Sequence, residues 1–282
     1  MNTFILLFEC HDQQGIVAKI SALIFKYGGN IITADQYSSD VTSGHFFLRI
    51  EFFLDDRRTS KETLQEKLAP IAKKFKAQCA IYQKTKRMNA GILVSEPGHC
   101  LAEILYLWKT GELAMNIPFI ISNFSGHQEL AKQYKIPFYF IKATKENRRE
   151  DELLKIIGGK TDFLILARYM LILSKNFLSS YKKDIINVHH GFLPSFKGMN
   201  PYQQALDKGV KIIGATSHFV TEGLDEGPII AQAVEHVSHT DNLQSLIRKG
   251  KTLEKKVLVE AVHNYIDYRI IKYRNKTIVF SL

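Results

Sequence analysis

Long apolar runs are missing from this 282-residue chain, and with them any stretch able to span a bilayer as a helix. Its beginning lacks the charged flank and apolar core of a signal peptide. Cysteine is scarce: the three present, Cys10, Cys79 and Cys100, are an odd number without metal-ligand spacing. That usage suits a reducing cytoplasm and argues against a disulfide framework. Internal repeats and low-complexity tracts are absent. Acidic residues fall short of basic ones, 28 against 38, giving a formal net charge of +10. A basic balance suits nucleic acid, an anionic membrane or a polyanionic small substrate. The Lys and Arg residues are scattered, however, and no aromatic stacking motif or recognition-helix pattern accompanies them. A solvated surface is therefore the better default, and the expectation is no nucleic acid and no membrane. Asn275-Lys276-Thr277 matches a glycosylation sequon, which in a cytoplasmic protein reads as a polar turn.

What the chain has in quantity is apolar side chains, 45% of the total, enough for two domains and a sizeable core. Residues 4–8 form an apolar strand, followed by a polar turn through Asp12 and Gly15. Ile16, Val17, Ile20, Leu23 and Ile24 then recur as one face of a helix, and Gly28-Gly29 ends it. Asn30 and Ile31 begin a second strand, and Phe46, Leu48, Ile50 and Phe52 alternate as a third. Thr59 and Glu62 have capping-box spacing ahead of a helix bearing Leu64, Leu68, Ile71 and Phe75. Residues 78–82 close the set. The order βαββαβ predicts a ferredoxin-like antiparallel sheet with both helices on one side. The charged run Lys84-Thr85-Lys86-Arg87 reads as a joint, giving domains 1–84 and 85–282.

Beyond the joint, residues 90–94, 117–122 and 163–166 read as buried strands between amphipathic helices, one of them over residues 150–157. This alternation predicts an α/β fold with a doubly wound, mostly parallel sheet. Short apolar runs lead into Asn187-Val188-His189-His190-Gly191-Phe192-Leu193-Pro194, and Gly223-Leu224-Asp225-Glu226-Gly227-Pro228 follows farther on. In open α/β sheets ligand sites lie at carboxyl ends of strands. An amide, an imidazole and a carboxylate together can attack and collapse a carbonyl centre. The amide donates to the oxyanion, the imidazole moves a proton, and the carboxylate orients the imidazole or a water. Taken singly, Asn187 could cap a turn and His189 could be a satisfied core histidine. Residues 243–268 read as a long helix, an ordinary Lys- and Glu-rich solvated face with an apolar stripe of Leu246, Leu253 and Val257.

The paired motifs resemble the folate-dependent formyltransferase family, whose signature is Asn-x-His-x-x-x-x-Pro followed by Asp-x-Gly-Pro-Ile. Here these stand as Asn187, His189, Pro194 and the run from Asp225 to Ile229. The resemblance implies a formyltransferase-type domain with Asn187, His189 and Asp225 as the catalytic set. It also implies folate binding around Arg168, Tyr169, Met170, Gly223, Leu224 and Gly227, the pterin being held largely by backbone groups. Residues 1–84 resemble an ACT domain, through Asp12, Gly15-Ile16-Val17, Gly28-Gly29-Asn30-Ile31 and Gly44-His45-Phe46-Phe47. That module implies an amino-acid effector at Asp12, Gly15, Asn30 and Ile31, and a homo-oligomer formed by pairing of ACT modules. Together with the His189-His190 pair and the Pro97-Gly98-His99-Cys100-Leu101 turn, it points to the deformylase branch of the family. The implied reaction is hydrolysis of 10-formyltetrahydrofolate to formate and tetrahydrofolate, feeding formate to purine synthesis, with folate as substrate and no cofactor. His99, Cys100 and His190 would line the side where water enters. No metal is implied, because adjacent histidines without carboxylate or thiolate partners at ligand spacing do not make a site. The alternatives are formyl transfer to an amine and a catalytically idle folate or amino-acid sensor.

Overall fold

The computed structural model describes residues 2–40, 44–55, 59–194 and 201–280. Two compact units emerge: Met1–Lys86 with Asp267–Ile271 and Ile278–Leu282, and Arg87–Ile266 with Lys272–Thr277.

In the first unit the order is β1 (Asn2–His11), α1 (Ile16–Lys26), β2 (Gly29–Ser38), β3 (His45–Leu54), α2 (Lys61–Phe75) and β4 (Gln78–Gln83). The sheet runs β2-β3-β1-β4, with β1 antiparallel to both neighbours. Strand alternation sends Phe4, Leu6, Phe8, Leu48, Ile50 and Phe52 to one face, where Ile20, Ile24, Leu64 and Leu68 of the two helices cover them. The cap of α2 differs from the capping box read at Thr59 and Glu62. Ser60 is the N-cap, its hydroxyl accepting from the Thr63 N–H at 3.2 Å, because Thr59 is buried and one residue too early.

The far face of this sheet is also buried. Arg49, 1% exposed, pairs with Glu51 at 3.2 Å and donates to the carbonyls of Tyr268 and Asp267. Tyr82 stacks on Tyr268 with ring centroids 4.1 Å apart. Residues 267–271 thus belong with this unit, whereas the sequence boundary had placed everything after residue 84 in the second domain. A returning segment of this kind leaves no periodicity to read.

The second unit contains β5 (Ala90–Val94), α3 (His99–Thr110), β6 (Ile120–Ser122), α4 (Gln128–Gln133), β7 (Phe138–Phe140), α5 (Glu150–Ile157), β8 (Phe163–Leu166), α6 (Lys175–Tyr181) and β9 (Ile185–His189). It continues with α7 (Pro201–Asp207), β10 (Ile212–Phe219), β11 (Ile229–His236) and α8 (Leu243–Ile266). A hairpin of β12 (Ile270–Tyr273) and β13 (Lys276–Val279) ends the chain's regular structure. The strand expected over residues 117–122 is shorter than read, since Pro118 cannot donate to a ladder.

The sheet order is β11-β10-β9-β8-β5-β6-β7, parallel from β9 to β7 and antiparallel at β10 and β11. Leu153, Ile157 and Phe177 of α5 and α6 pack against Leu93, Ile121 and Leu164 on one face. Helix α8 lies against β9, β10, β11 and α3. From β5 the chain winds outward to β6 and β7, then returns to place β8 and β9 on the other side. The reversal leaves a crevice beyond the carboxyl ends of β5 and β8, where such folds bind ligands. There Ser95 is tied to the chain leaving β8: its N–H donates to the Arg168 carbonyl, and its hydroxyl accepts from the Met170 N–H.

Candidate active site

A cavity of about 450 Å³ opens at this reversal. Its walls come from residues 166–173 after β8, residues 187–190 on and after β9, His218, and the 220–225 loop. Asn187, His189 and Asp225 all line it, so residues far apart in the chain converge as the motif spacing required. Antiparallel pairing of β9 and β10 sets Asn187 opposite His218 and His189 opposite Thr216. The turn after β9 is pinned by Thr216, whose hydroxyl donates to the Gly191 carbonyl and accepts from the Leu193 N–H. The Asp225 loop is docked by close approach: a Cβ on Gly227 would fall 1.7 Å from the Phe219 carbonyl oxygen. Only glycine fits there, which accounts for the Gly of Asp-x-Gly-Pro.

Asp225 sits in left-handed backbone, φ 55°, with its carboxylate 3.2 Å from His189 Nδ1 and 3.6 Å from His218 Nε2. Burial pushes its carboxyl up, but the two imidazoles outweigh burial and hold it well below the usual carboxylate range. His189 therefore directs Nδ1–H at the carboxylate. Its Nε2 is buried and without a partner among the described residues. A buried, unpaired nitrogen on a cavity wall is costly unless something enters to meet it. His218 is held through Nδ1, which donates to the Phe219 carbonyl at 2.9 Å, and its Nε2 lies 3.2 Å from Asn187 Nδ2 and 3.6 Å from the Asp225 carboxylate. Asn187 keeps its second amide hydrogen. Acid–base and oxyanion-stabilising groups are thus present together.

Sequence reasoning missed His218, although a histidine closing an apolar strand was its signal. It also missed Glu254, read as part of a solvated face. Glu254 is 1% exposed, and its carboxylate meets His99 Nε2 at 2.8 Å, Arg168 Nε at 3.1 Å and the Tyr202 hydroxyl at 2.6 Å. Burial raises its carboxyl, yet His99, Arg168 and Tyr202 bring the net shift below the ordinary value.

The other expected residues divide. Arg168, Tyr169, Met170, Gly223 and Leu224 line the cavity; Gly227 stands behind it as the docking glycine. The Met170 N–H is already taken by Ser95, so one backbone donor expected for the pterin is engaged. His190 is on the wall and is held by Arg168 Nη1 at 2.6 Å from its Nδ1. His99 and Cys100 do not line the cavity, which corrects their placement on the water side. His99 is drawn to Glu254, and Cys100 is a buried core thiol pushed up by burial and by the Glu254 charge. His99, Cys100 and Glu254 have ligand atoms within 4.8 Å of one another. The carboxylate of this group is already engaged by Arg168, His99 and Tyr202, and the thiol is held protonated by burial.

In the first unit, Asp12 and Gly15 line a second cavity of about 380 Å³, together with Gln36, Tyr37 and Ser38 of β2. The Ser38 hydroxyl donates to Asp12. Asn30 and Ile31 are elsewhere. They pair with Phe53 and Phe52 at the far end of the sheet, so the four expected residues do not form one site within a single chain.

Comparison with known proteins agrees with this architecture. The profile of the formyl transferase family matches residues 88–262, and that of the ACT domain matches residues 4–69. A formyltetrahydrofolate deformylase of Bacillus subtilis is 45% identical over 98% of this chain and 93% of its own. The crystal structure of a formyltetrahydrofolate deformylase from Pseudomonas syringae superposes with a TM-score of 0.94 at 37% identity, covering 100% of this chain and 95% of that one. A glycinamide ribonucleotide transformylase from Symbiobacterium toebii shares less, TM-score 0.66 at 27% identity over 71% of this chain and 97% of its own. With the doubled motif gathered on one cavity and an ACT domain ahead of it, the chain belongs to the formyl transferase family, beside its formyltetrahydrofolate deformylases.

Proposed function

We propose that the protein hydrolyses 10-formyltetrahydrofolate to formate and tetrahydrofolate. The observation that carries this reading is the unpartnered, buried Nε2 of His189 on the cavity wall, with Asp225 behind its ring and Asn187 beside it. Water adds to the formyl carbon while His189 Nε2 takes its proton, and Asp225 stabilises the imidazolium that forms. The free amide hydrogen of Asn187 donates to the oxyanion. Collapse breaks the carbon–nitrogen bond, and the proton on His189 passes to the leaving nitrogen. Water alone balances the equation, so the chemistry requires no redox carrier or group-transfer cofactor. The pterin lies against residues 168–172, and Lys145 at the cavity edge suits the anionic glutamate tail. The formate released supplies purine synthesis, and the three free cysteines fit a cytoplasmic protein.

The ACT unit is read as an amino-acid sensor. Its cavity pairs the Asp12 carboxylate, a partner for an α-ammonium, with the start of α1. That helix has Gly15 as N-cap and no side-chain capping bond, leaving backbone N–H groups for an α-carboxylate. Strand β2 is a sheet edge with Ile32 53% and Tyr37 46% exposed, which supports pairing with a second copy. Such pairing is also the route by which Asn30 and Ile31 of one copy could approach Asp12 of another.

The test is direct: incubate the protein with 10-formyltetrahydrofolate and water, with no amine acceptor, and quantify formate and tetrahydrofolate. Equimolar products at a catalytic rate are expected. Tight binding without turnover would favour an idle sensor instead.

A further inference from the structure

Glu254 is a buried charge outside the Asn187–His189–Asp225 set. It occupies the apolar stripe of α8 beside Leu253, Val257 and Leu258, where an isolated carboxylate would be expensive to desolvate. Three other elements supply its partners: His99 from α3, Arg168 after β8 and Tyr202 from α7. The helix makes room for this arrangement. A Cβ on Gly250, one turn earlier, would fall 2.0 Å from the Tyr202 hydroxyl oxygen.

The chain of contacts continues into the cavity wall. Arg168, held in left-handed backbone at φ 65°, extends Nη1 to His190 Nδ1 at 2.6 Å. A guanidinium has donors only, so His190 Nδ1 accepts, and the neutral ring carries its proton on Nε2. Burial, the Arg168 cation and His189 together pull His190 down to about 4, against smaller opposing effects of Glu254 and Asp225. The titratable groups around His190 are thus Arg168, His189, Asp225, Glu254 and Tyr202, the last with its ring centroid 6.1 Å away. The His190 ring lies 5.1 Å from that of His189.

We propose that Glu254 is a positioning residue for hydrolysis: acting through Arg168, it holds the His190 ring beside His189 with its proton on Nε2. This inference rests on the hydrolytic reading of the cavity. His190 then offers a second fixed donor, alongside Asn187, to the attacking water or the oxyanion.

The test uses the full-length protein and formate release, with kcat and KM measured for wild type, Glu254→Gln, His190→Asn and the double variant. Glu254→Gln is expected to lower kcat about 10- to 100-fold, the usual cost of removing a supporting group, with KM changed by less than about threefold. The double variant should be no more than about threefold worse than the poorer single one, since both changes disable the same donor. Glu254→Gln within about threefold of wild-type kcat, or losses that multiply in the double variant, would overturn the proposal. If Glu254→Gln fails to fold, Tyr202→Phe removes one hydrogen bond and keeps every charge. It should cost about fivefold in kcat, one ordinary hydrogen bond, and nothing further in the His190→Asn background. An equal loss in both backgrounds would refute the coupling. A wild-type protein that releases no formate would instead strike the hydrolytic reading itself.

Discussion

Replacing Asp225 by Asn is the perturbation with the most definite expectation. The substitution keeps the volume of the side chain and removes the charge that two imidazoles share, His189 at 3.2 Å and His218 at 3.6 Å. An Asn amide facing His189 Nδ1 favours the tautomer with the proton on Nε2. That tautomer has no lone pair to take a proton from water, and an imidazolium would lose its counter-charge. In serine hydrolases the equivalent loss of a carboxylate behind a histidine costs about 10,000-fold. Here the carboxylate is partly exposed, at 13%, so the expected loss spans about 100- to 10,000-fold, or about 3–5 kcal/mol of barrier. Single-turnover formate release, measured with the protein in excess over 10-formyltetrahydrofolate, reads the chemical step directly. Folate affinity should change little, because the apolar wall at residues 169–173 is untouched. A variant retaining more than about a tenth of wild-type turnover would refute the role given to Asp225.

Three further outcomes are expected. Burial, the larger cause of the lowered His190 titration, stays in Arg168→Gln, but the cation beside it is removed, so the titration moves up from about 4 part of the way toward the ordinary histidine value near 6.5. Neutral His190 is the donor form, so an NMR titration of its ring protons should move to higher pH; an unmoved titration would contradict this. Arg49→Ala removes one of the two cations that pair with Glu51 among the described residues and the guanidinium donors to the Asp267 and Tyr268 carbonyls. It should destabilise the protein by about 3–5 kcal/mol in urea melts, and a loss below about 1 kcal/mol would show the pair to be dispensable. Titrating common amino acids against the protein should raise its melting temperature for at least one of them, and Asp12→Ala should abolish that response. No shift with any of them would reduce the ACT unit to a dimerisation element.

Local signals carried much of the fold. Residues 150–157 and 163–166 show their helix and strand periods in the sequence and take those forms in the structure. Strand alternation in β3 likewise displays the face that meets the two helices. The doubled motif was legible because its residue types are chemically matched, whatever the distance between them. What failed to show was long-range partnership. Glu254 looks like one more acidic residue in a Lys-rich helix, and only its spacing to Gly250, Val257 and Ala261 hints that it shares the buried stripe. Its partners, His99 and Arg168, lie far earlier in the chain and are brought to it by the packing of α3 and α8. His218 depends on the antiparallel register of β9 and β10, which no local pattern encodes. His99 and Cys100, which the resemblance implies for the water side, are engaged elsewhere: His99 meets Glu254 at 2.8 Å, and Cys100 is buried in the core.

The fate of the formyl group tests the central claim most directly. Protein, formyl-labelled 10-formyltetrahydrofolate and glycinamide ribonucleotide are incubated together, and label is counted in formate and in formylated nucleotide. Hydrolysis predicts that the label appears as formate at a rate independent of the nucleotide. Formylated nucleotide accumulating at a rate matching or exceeding formate would contradict it and assign the cavity to transfer.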